Sequence, residues 1–119
     1  MIVVSDRLPQ SQFPGWNDGP RLGDWVDDPS RWLRLAARRE REAFRLAELC
    51  PPDLVIKVVV SPEVAARRKQ ETPPKQIQTG IELVRRLSYP AATRIAEIDG
   101  SQPLRQVILQ VKQAVWDAI

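Results

Sequence analysis

An Asp-Arg pair after a short apolar run is the first combination of residues in this chain that could take part in chemistry. Ile2, Val3 and Val4 are typical of a strand buried on both faces, and Asp6 and Arg7 follow. Open α/β sheets bind ligands just beyond the carboxyl ends of their strands. A carboxylate and a guanidinium at such a position could orient an anionic ligand, because Arg binds phosphate or carboxylate bidentately.

The composition restricts the kinds of chemistry that are open to the chain. Its 119 residues include no His and one Cys, Cys50, which excludes a histidine base, a cysteine metal cluster and an internal disulfide. The net charge of +3 is compatible with an anionic ligand but not with coating a nucleic acid polymer. No apolar run approaches a membrane span of about 20 residues, so we expect no membrane partner and a cytoplasmic location.

Alternating strands and helices must position these residues. The pattern predicts strands at 1–7, 53–60 and 93–99, a loop at 8–28, and helices at 29–49, within 62–88 around a short lid, and at 102–119. This order predicts one α/β domain, a three-layer parallel sheet of about three strands with flanking helices and right-handed crossovers.

Two features of this scaffold need a special explanation. The loop at 8–28 is too long for a plain connector, and its Phe13, Trp16 and Trp25 argue against disorder. These aromatic residues either cap a pocket or cover the edge of the core. Lys57 interrupts the apolar strand at 53–60, so its ammonium must reach solvent, find a partner, or lie near an uncovered part of the sheet.

Arginines recur at three- and four-residue steps along the helix at 29–49, and they are Arg31, Arg34, Arg38, Arg41 and Arg45. Such a row could point at phosphates. It could equally be a solvated face that Glu42 and Glu48 partly neutralise. We favour the solvated face for the row as a whole, with Arg34 and Arg38 as candidate substrate-binding residues.

The order of these segments resembles the second half of thymidylate kinase and its nucleoside and nucleotide kinase relatives. The segments that carry the resemblance are Val3 to Arg7, Asp53 to Ile56, Ser61 to Arg67 and Glu97 to Gln102. The family pairs a strand ending in Asp-Arg with a later Pro-Glu helix start, an arginine lid and a last strand ending in an Ile-Asp turn. The resemblance implies an incomplete P-loop kinase fold, a nucleotide or nucleoside substrate, and a homodimer.

The resemblance also implies roles for individual residues. Asp6 would lie near the transferring phosphoryl group or its Mg²⁺, Arg7 would hold the acceptor phosphate, and Arg67 and Arg68 would close over the ATP phosphates. The cofactor turn that would border the adenine consists of Asp99, Gly100, Ser101 and Gln102. Leu8 stands where the family usually has an aromatic residue, and the lid is shorter than usual in the family. The resemblance therefore does not identify the substrate that would accept the phosphoryl group.

The family's phosphate-binding loop, G-x-x-x-x-G-K-[ST], is absent from this chain. The five glycines lie at positions 15, 19, 23, 80 and 100, and none precedes Lys-Ser or Lys-Thr. We therefore expect a fragment of an ATP- and Mg²⁺-dependent kinase that is inactive alone. The alternatives are a noncatalytic α/β module that binds an anion or a partner, and a copy that has lost its function.

Overall fold

The structure is a computed structural model that describes residues 1–119, and it divides the chain into two compact units. The first unit spans Met1–Cys50 and the second spans Pro51–Ile119. The sequence predicts one domain over the same residues. None of the helices is both long and apolar enough to cross a membrane.

The second unit contains a parallel sheet of two strands, β1 (Leu54–Val59) and β2 (Arg94–Asp99). Leu54 lies opposite Arg94, and the register continues to Val59 opposite Asp99. Two helices connect the strands, α2 (Pro62–Arg68) and α3 (Pro74–Arg86). A last helix, α4 (Leu104–Ala118), follows β2. The predicted α/β class and parallel pairing are confirmed.

Helices cover both faces of this sheet. Alternate residues of a strand point to opposite faces, and residues paired across two parallel strands share a face. Lys57 of β1 bonds to carbonyl groups at the end of α3, whereas Arg94, on the other face, donates to the carbonyl of Asp117 in α4. The second unit is therefore a helix–sheet–helix sandwich, and its buried apolar residues are Val59, Ala65, Ile77, Leu87 and Ile98.

The strand predicted at residues 1–7 is not formed, so the sheet has two strands rather than three. Ile2, Val3 and Val4 are exposed, and residues 1–7 contain no strand. A strand needs a neighbour that satisfies its backbone groups, and β-branched composition alone does not supply one. The prediction was wrong because it was based on residue type alone and did not identify a neighbouring strand.

The first unit is built on one long helix, labelled α1 and spanning Arg31–Leu49. The helix begins two residues later than predicted, with Ser30 rather than Asp28 at the N-cap position. The Asp28 carboxylate instead accepts a hydrogen bond from the Ser30 N–H at 2.8 Å. Arg34 donates to the carbonyls of Asp28 and Pro29, at 2.6 and 2.9 Å, and so ties the first turn to the preceding loop.

The loop before α1 is ordered around the buried side chain of Gln10. Its Nε2 donates to the carbonyls of Phe13, at 3.0 Å, and Trp16, and its Oε1 accepts from the Phe13 N–H at 2.8 Å. Farther along, the Glu40 carboxylate of α1 accepts the backbone N–H groups of residues 21 and 22, at 2.9 and 2.8 Å. Of the three aromatic residues of this loop, Phe13 and Trp16 are half-buried, whereas Trp25 is exposed.

Candidate functional site

The carboxyl ends of β1 and β2 lie at the same edge of the sheet, because the strands are parallel. β1 leads into α2 through Ser61, whose hydroxyl accepts the Val64 N–H at 3.3 Å, with Pro62 in the first helical position. α2 therefore begins at the first residue of the region predicted to be helical. β2 leads into α4 through the cofactor turn, Asp99 to Gln102.

Gly100 lets the cofactor turn lie directly against β1. Its N–H donates to the Val59 carbonyl at 2.7 Å. A Cβ atom at this position would lie 2.8 Å from Cγ1 of Val58 and 2.9 Å from Cγ1 of Val60. A larger residue would have to displace these valine side chains, so glycine favours the close approach of the turn to the end of β1.

Arg68 joins the end of α2 to the same turn. Its Nη2 donates to the Gly100 carbonyl at 3.1 Å. Arg67, its neighbour, is exposed. The fold thus brings one of the two predicted lid arginines to the turn predicted to border the adenine, although they are 32 positions apart. No acidic side chain takes part in this bond, so the acceptor of the guanidinium is a neutral oxygen.

The other polar groups of the cofactor turn are held by neighbours. The Asp99 carboxylate accepts the Ser101 N–H at 2.8 Å. Hydrogen bonds from the backbone and side chain of Ser101 hold the pKa of Asp99 below its usual range. Gln102 accepts from Nε2 of Gln110 in α4 at 3.2 Å, which directs its amide toward that helix.

The lowered pKa of Asp99 predicts that the cofactor turn loosens in acid. A carboxyl whose pKa is lowered by folding adds stability above its unfolded pKa, and this stability is lost as the pH falls through the folded value. We expect the Ser101 amide resonance to shift in an NMR titration with a midpoint below the usual aspartate range. Asp99→Asn should abolish that transition, and a midpoint in the ordinary range would contradict the prediction.

Four of the predicted site residues lie in the first unit: Asp6, Arg7, Arg34 and Arg38. Asp6 and Arg38 are exposed. Nη1 of Arg7 lies 3.3 Å from Oδ1 of Asp18, a carboxylate that sequence reasoning missed. Asn17 and Asp18 both have positive φ, at 45° and 63°, and the Asn-Asp-Gly sequence was the available signal for this turn. Both partners are accessible, and such surface pairs exchange readily.

The structure offers no protein-built metal centre around Asp6. Nowhere does the chain gather three or more His, Cys, Asp or Glu side chains that could hold a metal ion. The residues present therefore do not fit a Mg²⁺ ion held by this chain alone. The substrate role of Arg34 also stays a prediction, since its guanidinium anchors the start of α1.

A groove of about 440 Å³ lies between β2 and α4. Strand residues 94–98 form one wall, and Gln110, Gln113 and Asp117 of α4 contribute to the other. None of the predicted site residues lines it. The candidate site is therefore the carboxyl edge of the sheet rather than this groove.

Two curated proteins of Escherichia coli strain K12 are similar to nearly the whole chain. "Uncharacterized ATP-binding protein YghR" is 32% identical over 117 residues, which is 97% of this chain and 45% of that protein. "Uncharacterized ATP-binding protein YghS" is 25% identical over 119 residues, 99% of this chain and 49% of that protein. No family model and no solved structure gives a significant match. The chain spans slightly less than half the length of these relatives, both of which are named as ATP-binding proteins.

Proposed function

We propose that this chain supplies part of an ATP site, and that the whole protein transfers a phosphoryl group to a nucleotide or nucleoside, as thymidylate kinase-like enzymes do. The names of the two relatives support ATP binding. The observation that carries the proposal is the hydrogen bond between Arg68 and Gly100 at the carboxyl edge of the sheet. This bond brings a cationic side chain to the cofactor turn. Both lie at the edge of the sheet where α/β proteins bind ligands.

The chemistry of Arg68 fits a triphosphate ligand. A guanidinium bonds more strongly to a charged phosphate than to a neutral carbonyl, so an incoming phosphate can displace Gly100 as its acceptor. Arg67, exposed on the same helix end, adds a second cation. In this proposal the two arginines balance phosphate charge, while the cofactor turn borders the base.

The residues proposed to bind the phosphoryl acceptor belong to the first unit. Arg7 would exchange its surface contact with Asp18 for the acceptor's phosphate, and Asp6 would orient the attacking group. Mg²⁺ would neutralise phosphate charge when bound, but the residues here do not form its site, so no step is assigned to it. The chain also has no G-x-x-x-x-G-K-[ST] cradle. We therefore expect binding without turnover from this chain alone.

Calorimetric titration with ATP tests the binding half of the proposal. We expect ATP to bind the chain, and Arg68→Gln to weaken binding about 10- to 100-fold, because a hydrogen bond from a charged donor contributes about 1.5–3 kcal/mol. Adenosine should bind equally to both proteins, since it carries no phosphate. Arg86→Gln, the same change at the exposed end of α3, is the matched control and should leave the ATP affinity unchanged.

Two results would contradict this proposal. Unaltered ATP affinity in Arg68→Gln would remove Arg68 from the site, and absence of ATP binding would remove the site itself. A radiolabel assay for transfer from ATP to nucleotide acceptors addresses the catalytic half. Robust turnover by this chain alone would overturn the claim that a phosphate cradle is needed.

The exposed arginines of α1 favour a second candidate, a noncatalytic module that binds an anionic partner. Arg38, Arg41 and Arg45 are exposed on that helix. In this alternative, tripolyphosphate would bind as well as ATP, and Arg38→Gln with Arg41→Gln would weaken both ligands, whereas Arg68→Gln would weaken neither. The same calorimetric titrations therefore separate the two candidates.

A further inference from the structure

Arg7 is held by an acidic residue of the loop that follows it. Nη1 of Arg7 lies 3.3 Å from Oδ1 of Asp18, and both residues belong to the first unit. The Arg7 side chain is 75% exposed and that of Asp18 is 38% exposed, so Asp18 is the more enclosed partner. A carboxylate of this chain therefore occupies the guanidinium that is proposed above to bind the phosphate of the phosphoryl acceptor.

The loop fixes the backbone on both sides of Asp18. Gln10, which is 5% exposed, donates from Nε2 to the carbonyl of Asn17 at 3.3 Å. The Gly19 N–H donates to the carbonyl of Trp16 at 2.8 Å. Because both chain neighbours are bonded within the loop, Asp18 presents its carboxylate to Arg7 from a defined position.

Two residues hold this position in an unfavourable conformation. Asn17 and Asp18 have φ angles of 45° and 63°, in the left-handed region, which costs free energy for residues other than glycine. Asn17 adds a second cost, because its buried Nδ2 has no hydrogen-bond partner. We call residues 17 and 18 the strained turn. Relaxation of the strained turn would recover both costs and would move the Asp18 carboxylate.

We propose that Asp18 is an autoinhibitory competitor for the anion site at Arg7, and that the strained turn limits how strongly it competes. In the closed state Arg7 is bonded to Asp18, and in the open state Arg7 is free and the strained turn has relaxed. Only the open state binds an anion at Arg7, so the apparent affinity is the intrinsic affinity multiplied by the open fraction. This inference rests on the proposed function, because Arg7 must bind phosphate for the contact to inhibit it.

The strength of the contact suits such a competitor. An exposed ion pair changes an equilibrium constant by no more than about fivefold, and the cost of the strained turn reduces this preference further. A ligand can therefore release Arg7 without breaking the bonds between Gln10 and Phe13 that hold the loop together. Binding of a phosphate group at Arg7 then changes the conformation of residues 17 and 18.

NMR titration of the full chain with inorganic phosphate tests the competition. The Arg7 Nε–H and Gly19 amide resonances report on this site and not on the proposed ATP site at Arg68. We expect Asp18→Asn to raise the phosphate affinity about three- to fivefold, because the competing carboxylate is removed. Asp24→Asn removes the same charge from an exposed residue of the same loop and should change the affinity by less than about 1.5-fold. An unchanged affinity in Asp18→Asn, or an equal rise in both variants, would overturn the proposal.

Titration with acetate separates competition from simple charge repulsion. A competitor lowers the apparent affinity of every anion by the same factor, whereas repulsion by Asp18 would act more strongly on a phosphate dianion than on acetate. We therefore expect Asp18→Asn to raise the acetate affinity by the same factor as the phosphate affinity. A rise for phosphate alone would identify repulsion and refute the competition.

Glycine at position 17 tests the role of the strained turn. Asn17→Gly accepts the positive φ without steric cost and removes the buried Nδ2, so it stabilises the closed state and should lower the phosphate affinity about two- to fivefold. The same change in an Asp18→Asn background should alter the affinity by less than about 1.5-fold, because no competitor is left. Any result other than a fall confined to the chain that retains Asp18 would exclude the strained turn from the device.

Arg7→Gln separates a failure of this inference from a failure of the proposed function. If Arg7 binds phosphate, this variant should lose about tenfold or more in phosphate affinity, measured at the Gly19 amide. That loss, combined with an unchanged affinity in Asp18→Asn, would remove the competitor but keep Arg7 in the acceptor site. Unchanged affinity in Arg7→Gln, or no phosphate binding to the unaltered chain and to Asp18→Asn, would remove both, while ATP binding at Arg68 is decided by its own titration.

Discussion

Lys57→Ala should lower the free energy of unfolding of the second unit by about 3 kcal/mol, because it removes a buried donor and the stem that carries it. Lys57 is only 7% exposed. Its ammonium donates to the carbonyl of Leu87 at 2.6 Å and to that of Arg85 at 3.4 Å, at the end of α3. Without it, the buried Leu87 carbonyl has lost a charged donor.

The surroundings of Lys57 explain why a charge is tolerated in a central position of β1. The ammonium lies at the carboxyl end of α3, where the helix dipole favours a cation. It also lies 5.6 Å from the ring centroid of Tyr89. Burial raises the pKa of Tyr89, so the phenol stays neutral at physiological pH. Lys57 thus connects β1 to the end of α3 and to the residues that follow it.

Urea denaturation of matched variants separates the charge from the packing. Lys57→Met keeps most of the stem and should lose about half as much stability as Lys57→Ala. Lys112→Ala removes an exposed lysine from α4 and should change the free energy of unfolding by less than about 0.5 kcal/mol. Equal losses at positions 57 and 112 would show that the buried contacts of Lys57 contribute nothing.

Local signals explain which parts of the fold could be predicted. Ser61, Pro62 and Glu63 specify a helix start through groups only a few residues apart, and the capping bond to Val64 is present. The apolar run of β1 was recognisable for the same reason. Ile2 to Val4 had the same composition but no neighbouring strand, which residue type alone does not reveal.

Long-range contacts explain what could not be predicted from residue patterns. The sequence predicted that Lys57 needs a partner, solvent or an uncovered part of the sheet. The partner is the backbone carbonyl of Leu87, 30 positions away, and a backbone carbonyl cannot be recognised from residue type. Arg68 and Gly100 were both named as candidate site residues through the family resemblance, but the hydrogen bond between them, across 32 positions, was not predicted. Asp18, the partner of Arg7, lies in a loop with no periodicity and was missed.

The two sides of α1 show a different reason for an incomplete prediction. The sequence predicted that the row of arginines on this helix forms a solvated face, and Arg38, Arg41 and Arg45 are exposed. The exposure of Trp32 and Leu46 becomes evident only when the loop occupies one side of the helix. Spacing identifies rows of residues on a helix, but only the structure shows which residues are buried against the loop.

Gly19→Ala should destabilise the first unit by about 3 kcal/mol by opening the loop around Gln10. A Cβ atom at position 19 would lie 2.2 Å from the carbonyl oxygen of Phe13, 2.9 Å from that of Trp16 and 2.7 Å from Nε2 of Gln10. Two of these neighbours are backbone atoms, which cannot rotate away as a flexible side chain could. The added methyl group must therefore separate the carbonyl groups that Gln10 binds.

A second glycine of the same loop provides the control for this experiment. A Cβ atom at Gly23 would have no neighbour within 4 Å, and the φ of Gly23 is not positive, so Gly23→Ala should change stability by less than about 0.5 kcal/mol. Hydrogen exchange should accelerate at the Phe13 and Gly19 amides in a Gly19→Ala protein, because both amides are bonded within the loop. Slow exchange in that variant would mean that the loop tolerates the methyl group, and that Gln10 does not depend on the close approach of Gly19.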